Sequence, residues 1–424
     1  MTIAIVVALL IAIRMTGVPV GTGLAVTGAA ILLAFEHSLS PILDVLGATA
    51  ANPLWVAIPL FIFMGLVLLR AGVASDAMAL GLGLARRLGG GVRGGTILGA
   101  TLVGAVSTVS LPNMLAIGVR VLPLLAKAGV PRGAAAALVA AAATLTVLLP
   151  PSTALILFAI AAGVRVEPVF LAALLPAGLA VVGFAVAARW GGGPSTPPED
   201  DCSSEANPAL APALTRAFAV LLLPVLILGG LALGLVTGVE AGIAGAVYGG
   251  AVALAAPRRI GLKAAGEVAI ETVRAALPIL GLVLAAALFS AAMGAIGVPD
   301  EIAELVEAAG LGPAAFVLLA ALVTFAAALI LDPAALILVV TPLMAPSFAA
   351  AGISPVWAGP MLVVAVEAAA IAPPFGVSLY VVRTISDVTS GELRRAALRY
   401  IAVLLCVTVA MALIVTIISG GAPL

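Results

Sequence analysis

Apolar residues run almost continuously along this chain, interrupted by short stretches rich in Gly, Pro and charge. The runs extend from about Thr2 to Ile13, Val18 to Phe35, Pro53 to Leu69, Gly94 to Leu125, Gly133 to Val164 and Pro168 to Ala188. They continue from about Ala217 to Leu235, Ala241 to Ala256, Ala264 to Ile296, Pro313 to Ala349, Val356 to Ser386 and Leu398 to Ile418. About 20 helical residues cross the hydrocarbon core of a bilayer, so this pattern predicts helices that cross or half cross a membrane. Several runs are too long for one straight span. Thr2 to Ile13 lacks a basic leader and a small-residue cleavage site, and reads as a short first span that Arg14 ends by snorkelling.

Composition fixes the solvent. Of 424 residues, 64% are hydrophobic and 9% charged, and the mean hydropathy is +1.33. Soluble domains carry about 25% charged residues, so a water-soluble enzyme is excluded. Aromatics are 4%, too few for the girdles of a membrane barrel, and long Ala, Leu and Val runs favour helices. The 19 basic residues balance the 19 acidic ones, which gives no reason to expect nucleic acid. Cys202 and Cys406 form no disulfide framework, and His37, the single histidine, offers little for metal or nucleophile chemistry. Gly89-Gly90-Gly91 lacks the Gly-Lys-Ser/Thr ending of a phosphate loop, which argues against ATP-driven transport.

Charge asymmetry threads the spans. With the N-terminus outside, Arg14, Arg70, Arg86, Arg87, Arg93, Lys127, Arg132, Arg189, Arg216, Arg258, Arg259, Lys263, Arg383, Arg394, Arg395 and Arg399 fall on the cytoplasmic side, while Arg165 falls outside. The assignment requires Gly94 to Leu125 and Pro313 to Ala349 to be re-entrant hairpins. Their tips fall at Ser107-Thr108-Val109-Ser110-Leu111-Pro112-Asn113 and at Leu331-Asp332-Pro333. A shift of 223 residues superimposes Pro123 on Pro346, Ala128-Gly129 on Ala351-Gly352, and Pro150-Pro151 on Pro373-Pro374. Each copy is a hairpin followed by a helix broken at Pro-Pro, and the two copies enter from opposite faces. Such inverted repeats with discontinuous helices point to a secondary transporter with its site near the midplane. The polar stretch from Trp190 to Thr215 reads as a cytoplasmic linker whose acids are solvated, and Glu301, Glu304 and Glu307 mark a short outer helix.

Asp332 and Glu367 lie within apolar runs, where an ion costs about 2.5 to 3.5 kcal/mol at a helix centre. Asp332 either joins freed carbonyls around a sodium ion, caps the following helix, or does both. Glu367 either pairs with a buried arginine or neighbouring backbone donors, with Arg120 and Arg274 as the basic candidates for intramembrane partners, or binds or relays a proton. In the first repeat, polar atoms gather at Ser107, Thr108, Ser110 and Asn113, and at Thr144, Thr146, Ser152 and Thr153 beside Pro150. The second repeat offers Thr341, Pro373, Gly376 and Ser378. Helix N-termini after these breaks suit an anion, although membrane hydroxyls often only bond back to the preceding turn.

Taken in order, these landmarks resemble the large membrane subunit of the tripartite ATP-independent periplasmic (TRAP) transporters over nearly the whole chain. Gly17-Val18-Pro19-Val20 is similar to the family's first loop, and Ile58-Pro59-Leu60-Phe61-Ile62-Phe63-Met64-Gly65 to its third-span motif. Leu148-Leu149-Pro150-Pro151-Ser152 resembles the first break, Leu331-Asp332-Pro333 the second hairpin, and Glu367 with Ala372-Pro373-Pro374-Phe375-Gly376 the second break. The resemblance implies an all-α polytopic inner-membrane permease that imports organic acids by an elevator mechanism coupled to sodium. It also implies two partners, a separate four-helix small membrane subunit and a periplasmic binding protein.

By the same resemblance, residues 94–165 and 313–388 form the transport domain. Residues 1–93, 166–312 with the linker 191–215, and the C-terminal helix 389–424 surround it. Sodium ligands are then expected at Ser107, Ser110, Asn113, Pro150, Asp332, Pro373 and Gly376, and substrate contacts at Ser110, Asn113, Ser152, Thr153 and Ser378. A stand-alone carrier of the same superfamily and a non-transporting scaffold subunit are the alternatives. The chain departs from the family at the first tip, where Thr108-Val109-Ser110 replaces Gly-Ser-Ser, and Pro112 and Asn113 replace a small residue and Thr. Ala365 stands where Asn is usual, and Thr237-Gly238-Val239-Glu240 replaces Thr-Pro-x-Glu.

Overall fold

A computed structural model describes residues 2–108, 110–190, 210–255, 261–374 and 376–419. Among them lie nineteen helices and no strand. The N-terminal part contains α1 (Thr2–Met15), α2 (Val20–Glu36), α3 (Ser40–Ala50), α4 (Leu54–Arg70) and α5 (Val73–Arg87). The first hairpin is α6 (Gly91–Gly104) and α7 (Ser110–Lys127), and the first broken helix is α8 (Arg132–Leu148) and α9 (Thr153–Ala162), bent by 44°. Next come α10 (Val166–Arg189), α11 (Leu210–Ala232), α12 (Gly238–Ala255), α13 (Leu262–Ala295) and α14 (Val298–Ala308). The second hairpin is α15 (Pro313–Ala328) and α16 (Pro333–Ala350), the second broken helix is α17 (Pro355–Ala370) and α18 (Val377–Thr384), and α19 (Ser390–Ser419) closes the chain. Four described helices are long and apolar enough to cross a membrane, or six if each of two bent pairs counts as one span.

The 223-residue spacing recurs in the helix boundaries: α7 and α16 begin 223 residues apart, as do α8 and α17. Both second hairpin arms carry an internal proline, Pro123 or Pro346, and both are followed by a left-handed glycine, Gly129 at φ 68° or Gly352 at φ 67°. The Pro150-Pro151 and Pro373-Pro374 bonds are cis.

The core is built from the two broken helices. Every residue of α8 from Gly133 to Leu148 is buried, as is α17 from Ala358 to Glu367 and on to Ala369. α8 is rich in alanine, so α6, α7, α10, α17 and α19 approach its backbone closely. Lipid is as apolar as a side chain, so close packing of small residues supplies association that hydrophobic exclusion does not. Large side chains such as Val182, Val225, Leu277, Leu322 and Ile417 remain outside, as a bilayer-facing belt requires.

Three elements differ from the sequence expectation. α3 and α5 were not anticipated, because α5 carries Gly, Ser, Asp and Arg and lacks a continuous apolar run. α5 packs tightly on α6, where a methyl on Gly81 would collide with the backbone N of Gly99. The run ending at Ile296 is one unbroken helix of 34 residues, about 51 Å long, with Pro278 accommodated inside it. Its polar first third receives Arg70, which donates to Glu267 at 2.9 Å and to Glu271 at 3.0 Å. The expected linker shortens, since α11 already begins at Leu210, and residues 191–209 lie outside the described residues. Asp300, Glu301, Glu304 and Glu307 lie on α14, as anticipated for a short helix there.

Candidate functional site: two hairpin tips and two helix breaks

The first tip is where α6 ends and α7 begins. Ser107, Thr108 and Asn113 are buried there, and Asn113 Nδ2 donates to the Ser107 carbonyl at 3.4 Å. α4 brings Gly65 against the tip: a methyl at that position would lie 3.3 Å from Ser107 Oγ and 3.5 Å from Thr108 N. On the other side Gly104 lets α6 touch the α8 backbone, where a methyl would fall 2.6 Å from Thr146 Cα. Two glycines thus allow the tip to seat between α4 and the helix that leads to the first break. Ser110 begins α7, but its side chain, like Val109, lies outside the described residues.

At the first break Pro150, Pro151 and Ser152 are buried, and Thr153 opens α9. Ser152 occupies the N-cap position, yet its hydroxyl caps nothing. Thr108 Oγ1, Asn113 Oδ1 and Ser152 Oγ are all buried with no hydrogen-bond partner among the described residues. A buried polar atom left without a partner costs about 1–3 kcal/mol, so these oxygens are groups that a bound ligand would satisfy. Thr144 and Thr146 do not share this property. Their hydroxyls donate to the carbonyls of Ala141 and Ala143, at 2.7 and 2.8 Å, and serve α8 itself.

The second repeat also holds buried hydroxyls with no partner among the described residues, Thr341 Oγ1 and Ser347 Oγ on α16, but its acid stands elsewhere. Asp332 is exposed, and its Oδ1 accepts from the backbone N–H groups of Ala334 at 3.0 Å and Ala335 at 3.2 Å, so the carboxylate caps α16. It faces a cleft of about 770 Å³ whose walls include Val20 of α2 and Pro278 of α13. Pro373 and Gly376 line a separate cleft, of about 540 Å³, with α18 and the start of α19. Ser378 is buried on α18. The structure therefore does not bring Asp332 into the cavity of the second break. Gly376 closes that break tightly: its N–H donates to Ala372 O at 2.8 Å, and a methyl there would lie 2.7 Å from Ala370 O.

Glu367 is 6% exposed on α17 and has no hydrogen-bond or ion-pair partner among the described residues. The anticipated arginine partners do not reach it, since Arg120 donates to Ser75 Oγ and Arg274 is exposed on α13.

Residues 7–417 match the family described as "Tripartite ATP-independent periplasmic transporter, DctM component". The chain belongs to this family. It is 29% identical over 387 residues to the C4-dicarboxylate TRAP transporter large permease protein DctM of Pseudomonas aeruginosa, covering 90% of this chain and 89% of that one. It is 26% identical over 356 residues to the ectoine/5-hydroxyectoine TRAP transporter large permease protein UehC of Ruegeria pomeroyi, covering 84% and 83%. Among solved structures, the Alcanivorax borkumensis YdaH transporter superimposes with a TM-score of 0.64 at 19% identity, over 92% of this chain and 89% of that one, a likeness of fold alone.

As a DctM component, the chain compensates its Gly238 departure locally. Gly238, unlike proline, has a backbone N–H, and Glu167 Oε1 accepts it at 2.8 Å while Glu167 Oε2 pairs with Arg165 Nε at 3.3 Å. Thr237 Oγ1 and Glu240 Oε2 complete the cap of α12 at 3.0 Å. Glu167 carries no signal in the sequence because it falls between two apolar runs, beside Arg165, like any solvated acid. Only the fold folds α10 and α12 together and buries it to 8% exposure. Gly65 was quoted as part of a motif, with no signal that it seats the first tip.

Proposed function

We propose that this DctM component is the large permease subunit of an inner-membrane importer of organic acids, with its N-terminus in the periplasm. It works with a separate small four-helix membrane subunit and receives its substrate from a periplasmic binding protein. Sodium drives the import, and the two hairpins with the two broken helices move as an elevator against the remaining helices. The relatives named for C4-dicarboxylates and for ectoine are the reason for a carboxylate-bearing substrate.

The observation that carries the reading is the set of buried oxygens without partners at Thr108, Asn113 and Ser152. Hydroxyl and amide oxygens beside freed carbonyls are the hard ligands that broken helices offer to sodium. The N-termini of α7 and α9 add partial positive charge that suits a carboxylate. At the second hairpin, Asp332 Oδ1 caps α16 while Oδ2 makes no hydrogen bond among the described residues, so capping and ion binding are compatible there.

The test is the thermal unfolding midpoint of the complex purified with its small subunit, in sodium and in choline at equal ionic strength. A ligand that binds only the folded state raises the midpoint by mass action. A sodium-specific rise that Ser152→Ala removes supports the reading, and equal midpoints across a wide sodium range refute sodium coupling. Failure of any small membrane subunit to co-purify counts against the tripartite assembly.

A further inference from the structure

The cleft beside the second break runs from Pro373 and Gly376 to Arg383 on α18 and to Ser390 and Arg394 at the start of α19. Arg383 stands seven residues after Gly376, about 10 Å along the helix, so the cleft joins the break to a basic mouth. Tyr380, 73% exposed, lies on the same wall. Among the described residues neither Arg383 nor Arg394 forms a salt bridge or a side-chain hydrogen bond. The nearest acid on α19, Glu392, accepts from Thr389 N at 3.4 Å and Thr389 Oγ1 at 2.9 Å, and Asp387 does not line the cleft. Two uncompensated guanidinium groups therefore share an open cavity of about 540 Å³ with a helix break.

We propose that this cleft is an anion vestibule in which Arg383 and Arg394 gather a carboxylate-bearing solute at the inner mouth of the second break. The inference rests on the organic-acid reading for the identity of the solute. Its physical basis is independent of that reading: a cleft lined by one sign of charge, with low-dielectric walls, concentrates counter-ions. Guanidinium groups also match the planar, two-oxygen geometry of a carboxylate. A membrane's own phosphate groups could be drawn to the same charges, and the experiment separates the two.

The test uses the full chain with its small subunit in vesicles of neutral lipid, with Cys202 and Cys406 replaced by serine and Ser390→Cys as the reporter. Rates of modification by an anionic and a cationic methanethiosulfonate are compared, each divided by its rate with 2-mercaptoethanol. With both arginines present the anionic reagent is expected to be favoured on the order of tenfold at low salt, and less at high salt. Arg383→Gln with Arg394→Gln abolishes the preference, whereas Arg383→Lys with Arg394→Lys retains it and shows that folding is intact. No preference in the parent chain, or one that survives both glutamines, overturns the proposal. So does a preference that vanishes when phosphatidylglycerol is added to the vesicles, because lipid then occupies the cleft. Loss of sodium-driven uptake would sink the transport reading and leave this charge measurement unchanged.

Discussion

Replacing Gly376 by alanine adds one methyl group at the second break. Its carbon would lie 2.7 Å from Ala370 O, 2.8 Å from Ala372 O and 2.9 Å from Ala372 N. Alanine tolerates the local backbone, at φ −56° and ψ 113°, so the penalty is steric and not conformational. All three neighbours are backbone atoms and none can rotate aside. Reaching an ordinary separation of ~3.5 Å means opening the break by roughly 0.7 Å. That movement stretches the Gly376 N to Ala372 O hydrogen bond, now 2.8 Å. Overpacking of this kind costs about 1–3 kcal/mol. At roughly 2 °C per kcal/mol for a long chain, the unfolding midpoint should fall by about 2–6 °C. The control is Gly266→Ala in α13, where nothing lies within 4 Å of the added carbon. There the better helix propensity should hold or raise the midpoint, by up to ~1 kcal/mol. Both are read by tryptophan fluorescence on the purified complex in one detergent. If Gly376→Ala melts no earlier than Gly266→Ala, the steric account of the second break is wrong.

Three further outcomes follow from the same geometry. Ser152→Ala removes a buried hydroxyl that has no partner, so the midpoint in choline should stay level or rise, while the sodium-dependent increase disappears; a loss of stability in choline would show that the hydroxyl is already satisfied. Asp332→Asn should keep the α16 cap and melt close to the parent in choline, whereas Asp332→Ala should lose about 0.5–2 kcal/mol. If the carboxylate binds the ion, neither variant responds to sodium, and a full response in Asp332→Asn would assign Asp332 to capping alone. Gly238→Pro should destabilise by about 1–3 kcal/mol, because it removes the N–H that Glu167 accepts. It also drives a ring toward Val166, whose Cγ1 already crowds the site of an added carbon. Glu167→Ala should act in the same direction and the two effects should not add, as a double-variant melt will report.

Much of the hairpin architecture was legible because breaks in a membrane helix have few chemical solutions. Proline withholds a donor and aspartate caps, so Asp332-Pro333 and Pro150-Pro151 announce where helices stop and restart. The helix boundaries then recur at the 223-residue spacing that the prolines alone suggested. α5 was illegible for the opposite reason. Its packing comes from Gly81 meeting Gly99 of α6, and from Gly95 and Gly99 of α6 admitting Leu82 and Met78 of α5, and small residues carry no hydropathy signal.

The candidate site divides in the same way. The sequence by itself determined that oxygen-bearing side chains would stand at four helix breaks, since residue type and local backbone preference act over a few positions and need no partner. Which of those oxygens are left wanting was decided only by the tertiary structure. Thr144 and Thr146 are satisfied within α8, while Thr108, Asn113 and Ser152 are buried without partners. Asp332 faces α2 and α13, apart from the break at Gly376, and Arg383 and Arg394 line one cleft from two helices. Burial and charge compensation are properties of the space between elements, and that space is set by how the helices pack.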